Sequence, residues 1–269
     1  MVDLNIIRQF AIELRESEGF FGKVQHLLSL GFSDSGQTIH SIYKPFGHKF
    51  FDLTIAGTAP FIEPVNGLRN QNPIMVLNTE ADFNARAVAN PNFPAYRYYT
   101  LSCCPHIPDT RLTRPIFTGP FPPSIAGTTP MNWSPFARAL FEAGDKWVRR
   151  GKQPPQSATL KLNSRGEIVR DDMQNALGGI RHPAVQLREA QFIASVDRNG
   201  WRLFGDYRNP RQITDSEFPE YLRSFRRETY ELFEAGYLTA DGRDHLIGKA
   251  QSRPPNTFTL SYRGLVVLG

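Results

Sequence analysis

Residues 24–36 constrain the fold of this chain more than any other stretch. Val24-Gln25-His26-Leu27-Leu28-Ser29-Leu30 is an apolar run too brief for a helix, and Gly31 follows it at once. Such a run predicts a strand buried on both faces, as in a parallel sheet covered by helices. From Ser35 to Tyr43 the pattern turns helical and stops at Pro45. Between the two lies Leu30-Gly31-Phe32-Ser33-Asp34-Ser35-Gly36, a Gly-x-Ser-x-Ser string in a strand-turn-helix setting. A side chain projecting from so sharp a turn needs strained backbone beneath it and small residues two positions to either side. Gly31 and Ser35 meet that need, and Gly36 adds room. The string alone is a weak signal and Ser33 as a plain helix cap is the alternative, but the setting favours a reactive serine.

The rest of the chain repeats the alternation. Leu4, Ile7, Phe10, Ala11 and Leu14 predict an amphipathic helix over 3–17 that ends before Gly19. Buried strands are expected over 52–57, 74–78 and 96–101. Strands alternating with helices and long connections imply βαβ units and an α/β fold with a mostly parallel sheet flanked by helices. Residues 107–134 are loop, rich in Pro and Gly. Pro135 to Arg150 is a helix with Ser134 as its cap and Phe136, Leu140, Ala143 and Trp147 on one face. A hairpin around Asn163-Ser164-Arg165-Gly166 is expected over 158–170, and helices over 217–236 and 240–251. No repeat and no linker-like shift in composition interrupts the chain. One domain over 1–269 is therefore expected, with residues 1–106 as its core and 107–269 as a loop-rich, helical part.

Composition removes several classes. With 40% apolar and 21% charged residues, the 269-residue chain is neither disordered, nor a coiled coil, nor collagen-like. No window reaches the ~18 uncharged apolar residues of a membrane span. The first residues lack the basic and apolar segments of a secretion signal, so a cytoplasmic protein without a membrane partner is expected. The excess of 31 Lys+Arg over 26 Asp+Glu is small. Its basic groups, around Arg149 to Lys152 and Arg223 to Arg227, are broken by apolar residues at helical spacing, which argues for solvated helix faces and against nucleic acid. Cys103 and Cys104 are adjacent, so a mutual bridge is strained and joint zinc binding awkward; burial at a strand end in a reducing compartment fits them better. Asp171-Asp172 reads as a solvated loop, and Gly178-Gly179 lacks the following residues of a phosphate loop. No metal and no cofactor is expected.

A serine hydroxyl attacks well only when a base takes its proton and a third group orients that base. After the strand at 74–78 comes Asn78-Thr79-Glu80-Ala81-Asp82, and after the strand at 96–101 comes Ser102-Cys103-Cys104-Pro105-His106. Carboxyl ends of parallel strands face one crevice, so Ser33, an acid at Glu80 or Asp82, and His106 can converge there. Of the remaining histidines, His26 is expected within a strand, His40 and His48 flank a helix, and His182 and His245 belong to the later region. Arg181 is a candidate for an anionic substrate group, with a structural ion pair as the alternative. Phe117, Phe121, Trp133 and Phe136 can line an acyl pocket or serve ordinary packing.

These residues resemble a known family. Leu30 to Gly36, Ile55-Ala56-Gly57, Asn78 to Asp82, the run from Ala143 to Pro155, Asn175 to Pro183, and the helix from Glu220 to Leu238 are similar to the α/β-hydrolase domain-containing proteins, a family of serine esterases. The resemblance covers about residues 5 to 250. It implies an α/β-hydrolase-like fold, Ser33 as nucleophile, His106 as general base, and Asp82 or Glu80 as acid. The N–H of Asp34 would donate to the oxyanion of a small-molecule ester. Where the family carries Gln after the nucleophile this chain has Asp34, and near the histidine it has Cys104 and Pro105. Only 32 residues precede Ser33, which implies an N-terminally truncated fold without the early strands and second oxyanion donor. A second copy or another chain would then cover the sheet edge. The rival expectation is a non-catalytic or fragmentary hydrolase fold acting as a binding or assembly module.

Overall fold

Three of the apolar runs become fully buried strands of a four-stranded parallel sheet. The structure, a computed structural model, describes residues 4–16, 22–42, 50–59, 72–88, 94–107, 131–195 and 203–252. His48, Phe117, Phe121 and most of the loop expected over 107–134 lie outside them. The Cα positions divide the chain into two compact units: residues 1–78, 82–100 and 141–159, and residues 79–81, 101–140 and 160–269.

In the first unit the strand order is β1-β2-β3-β4, with β1 at Leu28–Phe32, β2 at Leu53–Gly57, β3 at Ile74–Thr79 and β4 at Tyr96–Leu101. β2, β3 and β4 are buried at every position, as strands covered on both faces must be. β1 departs from expectation. It starts four residues later than the run at 24–30, and its burial alternates, leaving Leu30 59% exposed. Leu27, within the expected run, packs with Ala11 and Phe51 beneath the first helix, and the strand begins only after it. His26 accordingly precedes the strand instead of lying in it.

That helix, α1 (Leu4–Glu16), buries Ala11 and packs Ile7 beside it. Phe10 is 62% exposed, so it does not share the buried stripe expected for it. Arg15 fastens α1 to the entry of β2, donating to the Phe50 carbonyl and to Asp52 at 2.8 Å, and Asp52 in turn accepts the Leu27 N–H. The second helix, α2 (Asp34–Ile42), begins two residues after Phe32, the last of β1. The third, α3 (Ser134–Arg150), starts where expected, but Asn132 supplies the capping oxygen for the Ser134 N–H. Its Gly144 lies against β2 and β3: a Cβ there would come within 2.7 Å of Leu53 and 3.1 Å of Met75. Arg97 on β4 is buried over Trp147, its charge met by the Tyr96 carbonyl and Gln153.

The second unit is built on short antiparallel bridges. Leu162 pairs with Ile168 across the expected turn, whose Asn163 accepts the N–H groups of Arg165 and Glu167. The ribbon continues beyond the expected hairpin through Arg170 with Ala176 and Leu160 with Gly178. Asp171 is not the solvated residue expected; it is buried, accepts Met173 and Asn175 N–H groups, and pairs with Arg181 at 2.7 Å. Asp172 beside it is exposed. Then come α4 (Pro183–Gln186), the antiparallel strands β5 (Gln191–Ile193) and β6 (Asp206–Arg208), and α5 (Phe218–Glu234) packed on α6 (Ala240–Gln251). Among the described residues no helix is long and apolar enough to cross a membrane.

His182 caps α4, accepting the Ala184 N–H at Nδ1, and its ring is buried edge-on between Phe136 and Phe225. Burial first, and Lys249 second, lower its pKa from 6.5 to about 3. The unfolded chain therefore binds a proton that the folded one refuses, so this residue favours folding above the ordinary imidazole range and ceases to as pH falls toward the folded value. At about pH 5 the loss is ~2 kcal/mol. His182→Asn keeps a capping oxygen and does not titrate. Its unfolding free energy, measured by denaturant melts at about pH 7.5 and 5, should fall by ~2 kcal/mol less than that of the wild type; equal falls would contradict this assignment.

Candidate active site

Ser33 is a single residue between the last position of β1 and the first of α2, and its φ is +58°. This left-handed conformation is uncommon for any residue with a Cβ, and it costs ~1–3 kcal/mol. Its persistence is explained by what surrounds it. The Ser33 N–H donates to the Gly57 carbonyl at 2.9 Å and to Thr58 Oγ1 at 3.3 Å, tying the turn to the end of β2. Ser35 closes the turn locally: its hydroxyl accepts the Phe32 N–H and donates to the Phe32 carbonyl. A Cβ on Gly31 would lie 2.3 Å from the Ser35 carbonyl oxygen, and one on Gly36 would lie 2.7 Å from that of Gly57. Both obstacles are backbone, so neither can swing aside.

Asp34 opens α2 and is exposed. Its carboxylate lies along the helix, accepting from Gln37 Nε2 at 3.4 Å. The backbone N–H groups of the first helical turn carry the partial positive charge of a helix start.

The two candidate acids have different surroundings. Both fall in the 3₁₀ turn Glu80–Asp82 directly after β3. In the first unit, Asp82 is buried, and its carbonyl accepts from Asn78 Nδ2 at 3.0 Å. Asn78 also holds both backbone groups of Ala59 and reaches the Tyr98 hydroxyl. Burial pushes the Tyr98 phenol up to about 12, against the hydrogen bonds to Asn84 and Asn78, with the Asp82 charge adding to the rise. In the second unit, Glu80 is buried and has both oxygens engaged, Oε1 by Arg170 at 2.6 Å and Oε2 by the Cys103 N–H at 2.8 Å. Glu80 and Arg170 also line a cavity of about 560 Å³ with Gln174, Gln191 and Phe192.

His106 follows β4 by five residues and is buried. The segment bearing it is fixed on either side, by Trp133 Nε1 donating to the Pro105 carbonyl and by the Ile107 N–H donating to that of Leu203. Trp133 and Phe136 are buried, Phe136 against His182, which is ordinary packing. Arg181 donates to Asp171 and Gln186, the ion-pair alternative weighed for it. Cys103 and Cys104 are free thiols buried after β4, and burial raises the pKa of each. Among the described residues no group of three or more His, Cys, Asp and Glu is gathered as a metal site would need. Sequence reasoning missed Asn78, Thr58 and Arg170; a polar Asn inside an otherwise apolar strand run was the signal for the first.

A four-stranded parallel sheet, helices against it and a left-handed serine between strand and helix define a hydrolase fold. The chain belongs to the alpha/beta hydrolase domain family, whose model matches residues 2–248. No curated protein and no solved structure matches it.

Because the atoms facing Gly31 are backbone, Gly31→Ala must displace the turn itself. Denaturant melts should show a loss of ~2–3 kcal/mol, whereas unchanged stability would mean that the turn is not tightly packed.

Proposed function

We propose that the protein is a serine hydrolase acting on carboxylic esters through an acyl-enzyme. The observation that carries this reading is the strained backbone of Ser33, paid for by two glycines and a hydrogen bond from its own N–H to the neighbouring strand. Strain of this kind clusters at functional sites, and here it falls on a serine held between strand and helix. Ser33 Oγ attacks the acyl carbon while His106 takes its proton. His106 then protonates the departing alkoxide, leaving the acyl group on Ser33, and a water activated by the same imidazole releases the acid. Asp82 orients the imidazole, since Glu80 already spends both carboxylate oxygens on Arg170 and Cys103. The Asp34 N–H, at the start of α2, donates to the oxyanion. An anion beside the oxyanion would oppose it, and the Asp34 carboxylate instead accepts from Gln37 Nε2 at 3.4 Å, along α2.

Hydrolysis of p-nitrophenyl esters tests this. Ser33→Ala and His106→Ala should each lower kcat/KM on the order of 10⁴-fold or more, and Asp82→Asn by about 10³- to 10⁴-fold. Wild-type rates in Ser33→Ala would refute the proposal.

A further inference from the structure

We infer that Glu80 is a positioning residue that sets the turn delivering His106, and that it is not the acid of the triad; this rests on the Ser33 and His106 roles proposed above. Cys103 begins that turn with φ +59°, a conformation that needs outside support. The support converges on residues 102–104. Ser102 donates its N–H to the Ile180 carbonyl at 2.9 Å and its hydroxyl to that of Gly178. The Cys103 thiol meets Asn175 Oδ1, and the Cys104 carbonyl accepts the Ala81 N–H at 3.5 Å. In this set Glu80 is the ionised acceptor. Its Oε2 takes the Cys103 N–H, so the residue directly after β3 holds the residue three places before His106.

A charge-assisted bond of this type is about twice as strong as a neutral one. A buried carboxylate that supplies it needs a counter-ion, and Arg170 at 2.6 Å is that counter-ion. Arg170 is itself oriented by the Gln174 carbonyl at 3.1 Å, within the turn that follows Asp171. An orienting acid, by contrast, must keep an oxygen aimed at the imidazole N–H. Glu80 has one oxygen on a backbone amide and the other on a guanidinium, which weakens it as an acceptor for a third partner. The Glu80 carboxylate thus acts on the reaction through the 103–106 turn.

The experiment compares Glu80→Gln, Arg170→Gln and the double variant with the wild type and Asp82→Asn. Each is measured for kcat and KM on p-nitrophenyl esters, and for the low-field imidazole proton of His106, assigned by its loss in His106→Ala. In Glu80→Gln the new amide can still accept the Cys103 N–H, but its NH₂ faces the guanidinium. The expected result is a kcat roughly ten- to a hundredfold lower at nearly unchanged KM, with the His106 proton shifted but present. Removing both members of the pair should recover part of that loss. Asp82→Asn should lose the His106 proton and far more of kcat. Two results overturn the inference while leaving the hydrolase reading intact. One is a loss of about a thousandfold or more, with the His106 proton, in Glu80→Gln but not in Asp82→Asn, which makes Glu80 the acid. The other is a lowered melting temperature with wild-type kcat and an unshifted proton, in the single variants alike, which makes Glu80 only structural. A wild-type protein without esterase activity fails the hydrolase reading itself, and the inference with it.

Discussion

The fold around the candidate site depends on one backbone conformation, that of Ser33. A left-handed residue with a side chain can be held between strand and helix only if the two approach closely, and close approach forbids a Cβ at Gly31 and at Gly36. The amide freed from β1 by the turn would be an unpaired donor, and the Gly57 carbonyl at the end of β2 takes it. β1 and β2 are in register from Leu28 opposite Leu53 to Phe32 opposite Gly57, so the turn and its acceptor leave the sheet together. Sheet register, helix start and serine placement are thereby one constraint.

Away from the turn, long-range polar contacts do what apolar packing does inside the sheet. Asn78 links the segments after β2 and β3 in the first unit, holding Ala59 and the Asp82 carbonyl. In the second unit Asn175 accepts the Phe192 N–H and donates to the Ala190 carbonyl, while Asp171 meets Arg181. These groups are buried, and each left alone would cost several kcal/mol. Their mutual satisfaction fixes the loops following buried strands, beside apolar contacts such as those of Ala59, Phe83 and Ala87.

How much of this is legible in the sequence follows from the range of the interactions. β2, β3 and β4 lie within about a residue of their expected limits, because a strand buried on both faces writes an unbroken apolar run. β1 is displaced because Leu27 serves α1, and its burial alternates where that of the other strands does not. The turn at Ser33 is readable from its neighbours, since its steric demand is local. The partners of Glu80 are not: Arg170 lies 90 residues further along the chain, and no spacing rule joins them. Asp171 in turn looks like a solvated loop residue until the Arg181 guanidinium and the Met173 and Asn175 N–H groups are seen against it. Glu80 and Asp82 stay alternatives in the sequence, because the contacts of Glu80 with Arg170 and with the Cys103 N–H join residues far apart along the chain.

The central claim is that Ser33 is the nucleophile its backbone displays, and covalent trapping tests it most directly. After reaction with a fluorophosphonate, peptide mapping by mass spectrometry should find one phosphonyl group per chain, on the peptide containing Ser33, and none in Ser33→Ala. A protein that stays unmodified, or that carries the group elsewhere and labels equally well as Ser33→Ala, would contradict the account.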